Sequence, residues 1–415
     1  LAEHLRQSDF SANAVAGSFQ KIQTSQEVYL SRLEGSRSEP GTQESMPTFR
    51  VAVQDSTALR QLLGRLRNRA DVKYAHRNVT FTLNNGSRRL SAGRDDPPIV
   101  RPRNVFSDSL DHLDVVGALD AWENTVGDST VRVGVVDTGV YLAHPDLMGQ
   151  MGINEEEDLN NNGRFDPYPA SEGGDLNGVD DDGNGYVDDV IGYDFVDRPQ
   201  AIPTGDYEDR DPDPRPDPTG PGSGHGTAVA GVVAAAPKDP GAGVAGVAPG
   251  VSIVPLRAFG GDGRGQADDI AAAIVYGATM GLDVLNLSFG RDQPVPVIEE
   301  AIEYANERGT VVVAAAGNEL TDAPHYPSDY PEVLSVAWLA EDGEGLPDFN
   351  QSQYGIGIDI GAPGTNVFST RFPRNHLSSD DAPPRSALYG PNSGSSFSAP
   401  QVAGAAALLR AADSS

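Results

Sequence analysis

The chain has no cysteine, so disulfides, thiolate nucleophiles and thiolate metal ligands are excluded. Lysine is nearly missing as well, with three among the 30 Lys and Arg residues. Apolar residues never run for the roughly 18 positions that a membrane helix needs. The chain opens at Leu1 without a signal-type hydrophobic stretch, so the expectation is that any leader is already absent. Cations are outnumbered two to one, 30 against 60 acids, for a net charge of −30. Such a body repels nucleic acid, and neither nucleic acid nor a membrane is expected as a partner.

What is present is a real core fraction, 38% hydrophobic, in a length suited to one large and one small domain. The charge divides the chain. Residues 1–103 carry 16 Lys+Arg against 10 Asp+Glu, a net of +6, and residues 104–415 carry 14 against 50, a net of −36. A basic front and an acidic body attract each other. In the front, Thr48–Gln54 alternates like a strand, and Ser56 is placed to cap a helix bearing Leu59, Leu62, Leu63 and Leu66 on one face. Val72–His76 and Val79–Leu83 read as further strands, giving a small α+β module over 48–84. Residues 85–103, with Gly86, Gly93, Pro97, Pro98 and Pro102, have linker composition, and their exposed arginines are candidate cleavage points.

From Val131 onward, strands and helices alternate. Val131–Val136, Val251–Phe259, Leu282–Phe289, Thr310–Ala316 and Val333–Trp338 read as strands, and Asp268–Met280 and Val297–Arg308 as helices. Continuous apolar strands between helices predict an α/β fold with a parallel sheet covered on both faces, and ligands of such sheets bind beyond the strands' carboxyl ends. Residues 150–220 hold 20 Asp+Glu and 4 Arg, a net of −16, and read as an elaborate surface insertion.

Several short motifs carry chemistry. Asp137 directly follows the Val131–Val136 run, in Asp137-Thr138-Gly139. A carboxylate there can orient a histidine, although alone it reads as a turn residue. His225 opens an Ala/Val-rich helix between Gly224 and Gly226, whose missing side chains let other backbone come close. Asn318 ends the Val311–Gly317 run, where its amide could donate to an oxyanion. Ser396, in Gly394-Ser395-Ser396-Phe397-Ser398-Ala399-Pro400, stands near a helix start, where free N–H groups favour developing negative charge. Two loops of the acidic insertion have calcium-loop spacing. Asp180, Asp182, Asn184, Gly185 and Asp188 take positions 1, 3, 5, 6 and 9, with the Tyr186 carbonyl at 7. Asp158, Asn160, Asn162, Gly163 and Asp166 repeat the pattern, with Arg164 supplying the carbonyl. Position 12 is Ile191 in one and Pro169 in the other, not the usual bidentate Glu, and Asp189 is the candidate substitute in the first. Ca2+ is thus the expected cofactor.

Asp137, His225 and Ser396, in that order on separate motifs, resemble the subtilisin-like serine proteases (the subtilase family, peptidase S8). The resemblance covers about residues 105–415 and extends to His144-Pro145-Asp146-Leu147 and Asn286-Leu287-Ser288-Phe289-Gly290. It implies a three-layer sandwich around the parallel sheet, and acyl transfer with Ser396 as nucleophile, His225 as base, Asp137 as its orienter and Asn318 in the oxyanion hole. It implies that Ser288, Phe289 and Gly290 pair with a polypeptide substrate, that Gly317 lines the primary pocket, and that Asp146 is a further calcium ligand. Ser395 and Phe397 stand where threonine and methionine are usual. The front module resembles the family's inhibitory propeptide, which implies a zymogen with prosegment 1–103 and catalytic domain 104–415, secreted and monomeric. Family members continue with more helix and strand where this chain stops at Ser415, so the expectation is a C-terminally shortened catalytic domain. Two rivals share these residues. A catalytically dead binding protein would have no need of the complete Asp-His-Ser-Asn set, and a lipase would need Gly-x-Ser-x-Gly, which Gly394–Ser398 does not supply.

Overall fold

The computed structural model describes residues 26–32, 48–53, 63, 72–83, 111–197, 210–237, 243–341, 347–348, 352–377 and 383–413. The chain separates into two compact units, Leu1–Thr80 and Phe81–Ser415.

In the first unit, β1 (Gln26–Arg32) lies between β2 (Thr48–Val53) and β3 (Val72–Arg77), antiparallel to both. The sequence reading began this module at Thr48 and missed its central strand. Gln26–Arg32 does alternate, Val28 and Leu30 between Glu27, Tyr29 and Ser31, and this strand signal was overlooked in a polar, mixed stretch. Leu63 is helical and buried, as the leucine spacing predicts, while the rest of that helix and the linker 85–103 lie outside the described residues.

The second unit is built on an eight-stranded sheet. Its order is β13 (Pro347–Asp348), β12 (Val333–Glu341), β11 (Val311–Ala315), β9 (Val284–Leu287), β5 (Arg132–Asp137), β7 (Ser252–Arg257) and β6 (Tyr193–Asp194), with β14 (Ile360–Pro363) also on β12. Every pairing is parallel except that of β13. The unbroken apolar strands have the stated cause: Val133, Val135, Val136, Ile253, Leu256, Leu285, Val313 and Val336 are all fully buried, because helices cover both faces. Helices Ala267–Thr279 and Pro296–Glu307 pack against each other. Pro296 starts the second of these, and Gly309, at φ +84°, follows its end. Helices His225–Ala234 and Ser395–Asp413 pack together and against the sheet. All ten residues of His225–Ala234 are buried, so its side chains stay small on every face.

The acidic insertion is not confined to the surface. It contributes β6 to the sheet, and Tyr186, Tyr193 and Phe195 form an aromatic cluster with Tyr276, with ring centroids 4.9 to 5.7 Å apart. Buried Asp194 pairs there with buried Arg257. Composition misled here because the insertion buries its aromatics together with several of its acids, Glu157, Asp175, Asp189 and Asp194 among them.

Candidate active site

Three neighbouring strands, β5, β9 and β11, end at one rim of the sheet, and they deliver Asp137, Ser288 and Gly317-Asn318 to the same place. Asp137 is fully buried, and one of its oxygens accepts the Thr138 N–H at 2.7 Å. Its carboxylate faces His225 Nδ1 at 2.8 and 2.9 Å. An ionised carboxylate can only accept, so Nδ1 carries the proton and Nε2 presents a lone pair. The approach is close because Gly226 has no side chain: a Cβ there would sit 2.4 Å from the Gly139 carbonyl and 3.0 Å from Asp137 Cβ. The Gly226 N–H is held by Thr138 Oγ1 at 3.0 Å. His225 Nε2 is buried and has no hydrogen-bond partner. The His225 ring lies 5.4 Å from that of Phe397, the residue after Ser396.

Ser396 stands in the first turn of the Ser395–Asp413 helix, fully buried. Pro400, four residues on, has no N–H to give to the Ser396 carbonyl. Ser288 Oγ takes that role, donating to Ser396 O at 3.0 Å. In return Ser396 Oγ donates to Ser288 O at 3.1 Å. Ser288 Oγ accepts from the Asn286 amide at 2.9 Å, so Asn286 is tied to Ser396 through Ser288. Asn318 Oδ1 accepts the Ser395 N–H at 2.8 Å. Since that N–H must meet an oxygen, the amide's NH2 group is directed away from Ser395, as an oxyanion donor requires. Gly317, at φ +105°, gives its N–H to Ser395 Oγ at 3.1 Å, and a Cβ there would collide with Gln353.

A sequence model of the subtilase family matches residues 128–415. The chain belongs to the subtilase family. It is 34% identical over 308 residues to the thermophilic serine proteinase of Bacillus sp. strain AK1, covering 74% of this chain and 56% of that one. It is 31% identical to thermitase of Thermoactinomyces vulgaris over 294 residues, 71% of this chain and 79% of that one. Halolysin of Haloferax mediterranei is 32% identical over 361 residues, 85% of this chain and 53% of that one. The chain thus spans little more than half the length of two of these relatives.

The same unit supplies a strand to that rim. Phe81–Leu83, the part of β4 (Thr80–Leu83) in this unit, pairs antiparallel with β10 (Phe289–Gly290), Leu83 opposite Phe289 and Thr82 opposite Gly290. On its other side lies β8 (Arg264–Gln266), and the Leu83 N–H donates to Gly263 O at 3.1 Å. Phe81 is 1% exposed and meets Phe289 edge-on at 5.7 Å, beneath the Arg291 guanidinium.

The two calcium-type loops hold together through bonds of their own. In 180–188, the Asn184 N–H and Gly185 N–H donate to Asp180, and Asn184 Oδ1 accepts the Tyr186 N–H. In 158–166, Asn162 N–H and Gly163 N–H donate to Asp158, and the Asn160 and Asn162 amides donate to Asp166. Arg164 lies in that same loop, on the stretch after the Gly163 turn at φ +71°. Two expectations change. The Asp188 carboxylate accepts the N–H groups of Asn177 and Gly178, and it is not in the group of carboxylates that Asp180 and Asp182 form. Asp189 does not replace the missing twelfth residue, since its carboxylate accepts from Tyr276 at 2.6 Å and from the Asn154 and Asn184 amides.

Acids from outside the loops approach instead, and the sequence reading missed both. Glu157 is 1% exposed, and one oxygen accepts the N–H groups of Asp181 and Asp182 while the other has no partner. Glu157, Asp180 and Asp182 place carboxylate oxygens within 4.8 Å of one another. Burial, followed by the charges of Asp189 and Asp182, pushes the Glu157 carboxyl up to about 7. Asp175 is fully buried beside the other loop, with one oxygen on the Asp166 N–H at 2.7 Å and the other unpartnered. Burial and the nearby Asp158 and Asp166 charges raise its carboxyl too. An unpaired buried carboxylate oxygen facing like charges is costly unless a cation completes it, so both residues fit a hard, oxygen-ligated ion. Asp146 is engaged differently, accepting the Val244 N–H at 2.8 Å.

Proposed function

We propose that this chain is a serine endopeptidase made as a zymogen and stabilised by calcium. The observation that carries the catalytic reading is His225: one ring nitrogen is fixed by buried Asp137, and the other is buried, unpartnered and beside the Ser396 helix turn. For reaction, the Ser396 hydroxyl turns from the Ser288 carbonyl to His225 Nε2, a rotation about one side-chain bond between staggered positions. Oγ then attacks the peptide carbonyl while Nε2 takes its proton. The imidazolium is stabilised by Asp137, and it returns the proton to the leaving amine. The carbonyl oxygen becomes an anion, which the Asn318 amide and the Ser396 N–H at the helix start receive. Water repeats the sequence on the acyl-enzyme. Labelling the full chain with a serine-directed fluorophosphonate tests this, with one adduct expected, at Ser396. A protein that degrades no casein and takes up no label there would sink the reading.

Asn318→Leu removes the donating amide without emptying the space. Turnover is expected to fall by about 10²–10³ with KM little changed, a magnitude taken from subtilisin, a relative, and not from this geometry. Steady-state kinetics on a peptide anilide checks it.

The zymogen reading is supported by Phe81–Leu83, which fills the strand-pairing edge that a polypeptide substrate would use. Phe81→Ala in the full chain gives up the burial of an aromatic side chain, roughly 2–3 kcal/mol. The lag before activity appears should shorten markedly, and a progress curve identical to the wild type would count against this role.

Ca2+ is the proposed ion. Glu157, Asp180 and Asp182 would hold it at one loop, with Asn184 and the Tyr186 carbonyl. Asp175, Asp158 and Asp166 would do so at the other, with Asn160, Asn162 and the Arg164 carbonyl. The ion would supply charge neutralisation there and no chemistry at Ser396. We further propose that the chain acts outside the cell as a monomer, on polypeptides. No helix among the described residues is long and apolar enough to cross a membrane.

A further inference from the structure

β15 (Val367–Thr370) and β16 (Tyr389–Asn392) form an antiparallel pair, which about two residues suffice to join. Here the connection runs from Arg371 through Leu388. Connections this long in a compact domain are uncommon, and are usually functional or linker segments. Its described parts fold into two short turns, Arg374–His376 and Arg385–Leu388, and they are anchored to the body. The Arg371 N–H donates to Leu388 O at 2.6 Å, and the Phe372 ring packs against Tyr141. The Arg371 side chain donates to Pro391 O at 3.1 Å, and Arg374 donates to Gly220 O.

The described parts of this connection line a cavity of about 740 Å³ that is also lined by His225 and Phe397. Arg371, Arg374 and His376 line it, and none of its described lining residues is acidic. Among the described residues neither guanidinium meets a carboxylate; both bond backbone carbonyls. Three basic side chains on its described walls stand out in a chain of net charge −30; Asp380 and Asp381 of the same connection lie outside the described residues.

The direction of a bound polypeptide says which part of it enters. The strand seated on Phe289–Gly290 has Thr82 opposite Gly290 and Leu83 opposite Phe289. It therefore advances toward Ser288, whose carbonyl touches Ser396 Oγ. The Ser288–Gly290 edge thus holds residues before the scissile bond, and those after it must leave on the far side of the serine. That is the side of His225, which protonates the leaving amine. We propose that this cavity receives the first residues after the scissile bond and that Arg371 and Arg374 select acidic side chains there. The proposal rests on the proteolytic reading of the site.

The test uses the full-length chain and internally quenched peptides identical before the cut, with Asp, Ala or Lys at the first and second positions after it. Each rate is divided by the same enzyme's rate on an anilide, which has no residue beyond the cut. The expected kcat/KM ratio of Asp over Lys peptides is about tenfold or more at low salt, shrinking as salt screens the pair. Arg374→Gln should reduce the ratio, and Arg374→Glu, a change at an exposed position, should invert it toward Lys. Anilide cleavage with no charge preference after the cut, or a preference unmoved by Arg374→Glu, overturns the proposal while leaving the protease reading intact. No cleavage of any substrate, the anilide included, overturns both.

Discussion

Replacing Ser396 with alanine is expected to lower kcat by on the order of 10⁴–10⁶, the range found for triad removal in subtilisin. The direction follows from this geometry. Without Oγ no acyl-enzyme can form, and water must attack the carbonyl directly, still aided by Asn318 and the helix-start N–H groups. A residual rate above the uncatalysed one is therefore expected, and KM should change little. His225→Ala should cost nearly as much, because the two groups act as one unit, and the double variant should be scarcely worse than either single one. Effects that simply multiplied would mean that His225 and Ser396 do not cooperate, and the mechanism would fail. The Ser396→Ala chain should also remain one uncut polypeptide on a gel, if the Phe81–Leu83 strand is normally released by the enzyme itself.

Chelation is expected to lower the melting temperature by about 10 °C or more. An ion that binds only the folded chain, at about a thousand times its Kd, adds about 4 kcal/mol per site. For a domain of this size each kcal/mol moves the midpoint by roughly 2–4 °C at most. The Glu157→Gln variant separates this from a general salt effect. With calcium present it should melt below the wild type, having lost a ligand. In chelator it should melt at or above the wild type, because a buried carboxylate with an unpartnered oxygen beside Asp180 and Asp182 has been made neutral. Asp175→Asn should behave the same way at the other loop. A melting curve indifferent to chelator would remove the calcium assignment.

The sheet was readable in the sequence because a strand buried on both faces must be apolar throughout, as Val133, Val135 and Val136 are. Its rim was readable too. Asp137, His225, Asn318 and Ser396 each sit where a strand ends or a helix starts, and small neighbours such as Gly226 mark the close approaches. Edge strands were harder. Tyr193–Asp194 has two residues, too few to show a period, and it hides in an acidic stretch. The acids proposed to complete the loops were illegible for another reason. Loop spacing encodes what one turn of chain contributes, whereas Glu157 and Asp175 arrive from neighbouring segments. The clue available was the absence at Ile191 and Pro169 of the acid that such loops normally carry at their end.

Pro400 has an effect that reaches past its own helix. By leaving the Ser396 carbonyl unclaimed within the helix, it lets the Ser288 hydroxyl hold that main chain. On the proposed reading, the edge that would hold a polypeptide and the residue that would cut it are joined by two hydrogen bonds, so a displacement of one would be felt at the other.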